Sequence, residues 1–130
     1  DRTNVVYEFE PSKIKTLKQS MELEIKDVKI EGSGSYNYLK EIEYEVKNTG
    51  EADINRLNFD FKISKDGNEV AKKEEAGYLY EPVKARETAS DKITTYESID
   101  EKGTYVVEVT ARYYNTPTVL ATATKQFTVS

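Results

Sequence analysis

A chain of 130 residues holds one domain with one core, and 19 basic against 24 acidic residues leave a net charge of −5. That balance, with no Lys/Arg-rich run long enough to form a phosphate groove, excludes general nucleic-acid binding. Zero cysteines and zero histidines exclude a disulfide framework, thiolate chemistry, the usual general base and the ligands most zinc sites require.

The chain begins at Asp1 with no initiator Met and no signal peptide, so a mature or trimmed fragment is expected. Residues 1–18 read as an N-terminal arm or extra strand, with Asn4 to Phe9 the strand candidate. Pro11 to Lys18 suits a short helical turn, because proline fits the first helical position. The main folded domain is expected over residues 19–130.

Met21, Leu23 and Ile25 alternate, then Val28 and Ile30 alternate in the opposite phase. The slip at Lys26-Asp27 predicts a β-bulge or a strand that changes sheets. Gly32-Ser33-Gly34-Ser35 reads as a flexible turn. Tyr36, Tyr38, Ile42, Tyr44 and Val46 then share the even phase, with Lys40 the exception, while Glu41, Glu43, Glu45 and Lys47 take the odd one. This predicts a strand with one dry and one wet face.

Asn48-Thr49-Gly50-Glu51 predicts a tight turn, since Asn and Gly tolerate positive φ. Leu57, Phe59, Phe61 and Ile63 alternate with polar residues and end at Lys65-Asp66-Gly67-Asn68, where Asp-Gly signals a hairpin. Val70 opens a short edge strand guarded by Lys72, Lys73, Glu74 and Glu75. Ala76 to Ala85 reads as a loop, since Gly77 and Pro82 interrupt it. A Thr/Ser-rich strand is expected from Thr88 to Tyr96. Tyr105, Val107, Val109, Ala111 and Tyr113 form the inward face of the next, and the last runs from Thr118 to Val129. About seven short strands with regular turns predict an all-β, immunoglobulin-like Greek-key β-sandwich. In it Tyr105 is the corner tyrosine, and Val107 stands where many such domains place a cysteine.

The order of these parts resembles a known type of module. Glu45-Val46-Lys47-Asn48-Thr49-Gly50 closes one strand, Lys65-Asp66-Gly67-Asn68-Glu69-Val70 another, and Gly103-Thr104-Tyr105-Val106-Val107-Glu108-Val109 follows the polar strand. Over roughly residues 20 to 130 this resembles the CARDB type of prokaryotic immunoglobulin-like domain, a cell-adhesion-related module of bacterial and archaeal surface proteins. The first half is also similar to the FxLYD type of envelope domain. The chain departs from the pattern at Ala76 to Arg86, which has no Pro-Gly turn. The resemblance implies a non-catalytic structural, adhesion or assembly module in the cell envelope or outside the cell. A soluble domain of an archaeal surface-filament or stator-like component fits the same resemblance. The implied partner is a protein, a second copy in a homodimer included. Membrane contact is expected only through an anchor elsewhere in the full-length protein.

Candidate sites divide by chemistry. Glu41, Glu43 and Glu45 on one strand face suit either a carboxylate pair or a solvated face with lysines on neighbouring strands; composition favours the second. Asp66 and Glu69 could meet Asp100 and Glu101 as a calcium site, although Asp66 also suits a turn. No cofactor is expected. Of the tyrosines, Tyr44, Tyr105 and Tyr113 fall on inward phases. Tyr36, Tyr38, Tyr78, Tyr80 and Tyr114 fall at strand ends, in loops or on outward phases, and form the candidate binding surface. A carbohydrate- or small-ligand-binding module is the alternative function, using the same rings.

Overall fold

The computed structural model describes residues 20–33 and 36–130. The expected arm over 1–18 and Gly34-Ser35 of the Gly-Ser turn lie outside the described residues. Among the described residues seven strands follow one another: β1 Met21–Ser33, β2 Tyr36–Asn48, β3 Leu57–Lys65, β4 Asn68–Leu79, β5 Thr88–Ser98, β6 Gly103–Tyr113 and β7 Val119–Val129. They form a three-stranded sheet, β1-β2-β5, and a four-stranded sheet, β4-β3-β6-β7. Every ladder is antiparallel. The chain crosses between sheets after β2, β4 and β5, which is the immunoglobulin-like, Greek-key arrangement.

Alternation dictates the layers. Leu57, Phe59, Phe61 and Ile63 of β3 and Tyr105, Val107, Val109 and Ala111 of β6 all turn inward and are buried. They meet Ile42, Tyr44 and Val46 of β2 and Ile93 of β5 in one core. Each large side chain withdrawn from water contributes roughly 1.5–3 kcal/mol. The Tyr105 hydroxyl donates to the Glu101 carbonyl at 2.6 Å, and its ring stacks on Phe127, its cross-strand neighbour, at 5.4 Å. Tyr105 is therefore the corner residue, with Val107 fully buried two positions later. Tyr113, on the same phase, is only half-buried, because β6 leaves the sandwich there.

Three departures from simple alternation matter for the surface. The slip at Lys26 is a bulge: Ile25 pairs with Tyr44 but Asp27 with Glu43. A second bulge falls at Lys40, which both neighbouring ladders skip. It moves Leu39 into the core at zero exposure and turns Tyr36 and Tyr38 outward, away from the phase they share with Ile42 in the sequence. The third is β4, a full edge strand reaching Leu79 where a loop is expected after Glu75. Gly77 sits inside it because a Cβ there would lie 3.0 Å from Ile93 of the facing sheet.

The turns place the loops. Asp66 and Gly67 have φ of 53° and 81°, as a two-residue hairpin of the Asp-Gly kind requires. Asn48 and Gly50, in contrast, do not adopt positive φ. Asn48 acts through its buried side chain instead: Nδ2 donates to the carbonyls of Ala52 and Val83, and Oδ1 accepts from the Gly50 N–H, all at 2.9 Å. The 49–56 and 80–87 connections are further joined by Ile54 and Val83, and Tyr114 N–H reaches the Arg56 carbonyl. Three connections thus gather at one end of the sandwich. At the other end the 66–67 hairpin meets the 99–102 corner through Lys65 and Glu101, 3.3 Å apart.

Candidate functional site

The five candidate tyrosines do not form one patch. Tyr36 and Tyr38 lie at the hairpin end, 6.2 Å apart, and Tyr96 joins them at 5.7 Å from Tyr38. Tyr78, Tyr80 and Tyr114 gather at the opposite, three-loop end. Tyr96 is a residue the sequence reading did not select for the surface. It has a φ of 50° and sits where β5 sets two residues against Lys40 of β2, so a bulge aims its ring at Tyr38. Here the Tyr38 hydroxyl and the Lys40 ammonium both reach Glu31 at 3.0 Å. Lys40, then Tyr38, hold the Glu31 carboxyl below the ordinary range, and the Tyr38 hydroxyl titrates higher in turn.

The three-loop cluster is the better-supported surface. Tyr78 and Tyr80 stack at 5.5 Å, nearly parallel, and Tyr114 meets both edge-on at 6.0 and 6.1 Å. The Arg56 guanidinium lies 5.5 Å from the Tyr114 ring centre. Tyr80 remains 57% exposed and Tyr78 38%. Beneath them, on the outer face of β3, Asn58 is fully buried opposite Tyr78 and Arg112. Its Oδ1 accepts the Asn115 N–H at 2.8 Å, and its Nδ2 has no partner among the described residues.

An ion pair braces this end. Arg112 Nε donates to Asp60 Oδ2 at 2.7 Å and Nη2 to Oδ1 at 2.8 Å, a two-pronged contact. Arg112 Nη1 also donates to the Thr116 carbonyl at 2.6 Å, holding the loop that carries Tyr114. Asp60 Oδ1 accepts the N–H of Glu75, whose φ of 54° bends β4 before Tyr78. One carboxylate therefore ties both tyrosine-bearing segments to β3.

The Arg112 guanidinium holds the Asp60 carboxyl below the usual carboxylate range, with burial opposing. The folded value lies below the unfolded one, so the stabilisation is full above the ordinary Asp range near ~4. It is lost as pH falls through the depressed folded value. Asp60→Asn is expected to cost about 2 kcal/mol near neutral pH. The loss should shrink on acidification, in denaturation curves taken from pH 7 to pH 3. An equal loss at both ends of that range would refute the assignment.

The other candidate clusters are structural. Glu41 pairs with Lys92 and Glu43 with Lys29, both at 3.5 Å, making an ion-paired outer face on β1-β2-β5. Asp66, Asp100 and Glu101 line an open cleft of about 390 Å³ at the hairpin end. Lys65 lies between Asp66 and Glu101, at 3.7 and 3.3 Å. Glu69 does not join them but faces Asp60, Lys62, Lys72 and Glu108 around another depression. Among the described residues no group of three acids is placed to hold a metal ion.

No family model matches the chain, and neither does any curated protein sequence. Solved structures do. The chain is similar to a β-glucuronidase from Bacteroides uniformis (TM-score 0.58, 21% identity), covering 84% of this chain and 13% of that one. It is similar to a β-glucosidase from Kluyveromyces marxianus (TM-score 0.52, 20% identity), covering 86% and 14%. It thus spans about one seventh of those enzymes. It is also similar to the CARDB domain of a Pyrococcus furiosus protein, crystallised with di-metal ions (TM-score 0.50, 17% identity), covering 85% of this chain and 93% of that domain. At these identities the likeness is one of fold: a small immunoglobulin-like β-sandwich module.

Proposed function

We propose that the chain is a non-catalytic adhesion or assembly module of a prokaryotic cell-surface or envelope protein, and that it docks a protein partner through its three-loop end. The observation that carries this is the cluster of exposed Tyr78 and Tyr80 against half-buried Tyr114, with Arg56 beside it. Tyrosine and arginine supply large contact area with polar tips, and they dominate the energetics of protein interfaces. The cluster stands on a braced base, so little side-chain and loop entropy remains to be lost on binding. A sugar ring would stack on an open aromatic face; here Tyr78 and Tyr80 each commit a face to the other, and Arg56 lies beside Tyr114. That arrangement favours a protein over a carbohydrate.

Tyr78→Ser with Tyr80→Ser is expected to reduce retention of envelope material on the immobilised domain by tenfold or more. The melting temperature should stay within a few degrees, since both rings are exposed. Retention unchanged by the double substitution, or a stability gain on adding glycans to the parent domain, would count against the protein-docking reading.

A further inference from the structure

We propose that β7 is a self-pairing edge, through which two copies of the domain join their four-stranded sheets into one continuous eight-stranded sheet. This deepens the assembly reading by naming one partner, a second copy, and rests on residues the tyrosine end does not use. Among the described strands the four sheet edges are β1, β5, β4 and β7. Three are defended in the ways that discourage strand addition. β1 carries Glu22, Glu24, Lys26, Asp27, Lys29 and Glu31 and is broken at Lys26. β4 carries Glu69, Lys72, Lys73, Glu74 and Glu75 and bends at Glu75. β5 is broken at Tyr96.

β7 is the least defended of the four: its ladder slips once, at Leu120 beside its first residue, and a single charge, Lys125, shares the face of Val107. It contains no proline. Its ladder to β6 runs unbroken from Val129 to Ala121. Its outer side is unpaired among the described strands, and Val119 is 54% exposed.

The strand is also complementary to itself. In a two-fold antiparallel pair centred on Thr124, the regular run from Ala121 to Phe127 overlaps itself, and directly opposed residues share a face. Phe127 then meets Ala121 of the second copy, and Thr122 meets Gln126. Lys125 lies opposite Ala123, a small side chain over which its stem can pass to solvent. Phe127 thus opposes a small residue, and Thr122, Thr124 and Gln126 oppose polar ones, pairings that stabilise adjacent strands.

The chain has no cysteine, so Thr124→Cys introduces a sole thiol on the two-fold axis. Sedimentation over a concentration series is expected to show a reversible dimer. Under mild oxidant T124C should cross-link at least about tenfold faster than E97C on the β5 edge. Thr124→Glu opposes like charges and should weaken the dimer at least about tenfold. Thr122→Lys with Gln126→Glu places opposite charges across the pair and should tighten it several-fold. A monomer at all concentrations, equal cross-linking rates, or a dimer indifferent to both charge designs would overturn the proposal. Tyrosine-dependent retention is expected to survive in T124E, so failure of the edge and failure of the docking end read separately.

Discussion

Phe59→Ala is expected to cost about 4 kcal/mol, a large share of the ~5–15 kcal/mol that holds a domain of this size together. Phe59 has no exposed surface and lies on β3, inside the four-stranded sheet. Its ring centre is 4.4 Å from that of Tyr44, which comes from β2 in the opposite sheet. Removing the ring deletes the apolar transfer term and leaves a void between layers that neither sheet can close without giving up ladder hydrogen bonds. Phe59→Leu keeps most of the volume and should cost only about 1 kcal/mol. Urea denaturation of the two variants checks the pair. Near-equal losses would mean that the inter-sheet contact is not the source of the effect.

Asn48→Ala should cost about 3 kcal/mol, although it removes hardly any apolar surface. Three hydrogen bonds disappear at once; the Ala52 carbonyl and the Gly50 N–H lose this partner at a buried site, while the Val83 carbonyl keeps only the Ile54 N–H. A melting temperature lower by roughly 10 °C or more follows for a domain of this length. Asn48→Asp is the sharper experiment. A carboxylate would keep the contact to Gly50 but point a charge at two carbonyl oxygens. It should be at least as damaging as alanine at neutral pH and milder in acid, where the protonated group can donate again. An aspartate variant as stable as the parent at pH 7 would remove the side chain from its assigned role.

The strands were legible where alternation is unbroken. Leu57 to Ile63 and Tyr105 to Ala111 show their buried face in the sequence, and the corner hydrogen bond of Tyr105 follows from its place in the strand. The slip at Lys26 was also readable, because apolar residues change parity across it. The bulge at Lys40 shows only as a polar exception: tyrosines at 36 and 38 happen to keep the even parity of Ile42 and Tyr44, so the apolar phase runs on across it. Gly77 signals a break to local reasoning, yet it answers to Ile93 on another strand. The candidate surface was half legible. Exposed tyrosines could be counted, but their division between two ends depends on which loops share an end. Arg56, Asn58 and the Asp60–Arg112 pair carry no local signal, since their partners lie across the sheet.

Val107 sits with no exposed surface two residues after the corner tyrosine, and no cysteine stands anywhere in the chain. Nothing in this interior can be latched by an oxidant or unlatched by a reductant. The domain therefore reaches its full stability on either side of a membrane, in the reducing compartment where it is made or in an oxidising one. Its folding requires no disulfide isomerase at any step.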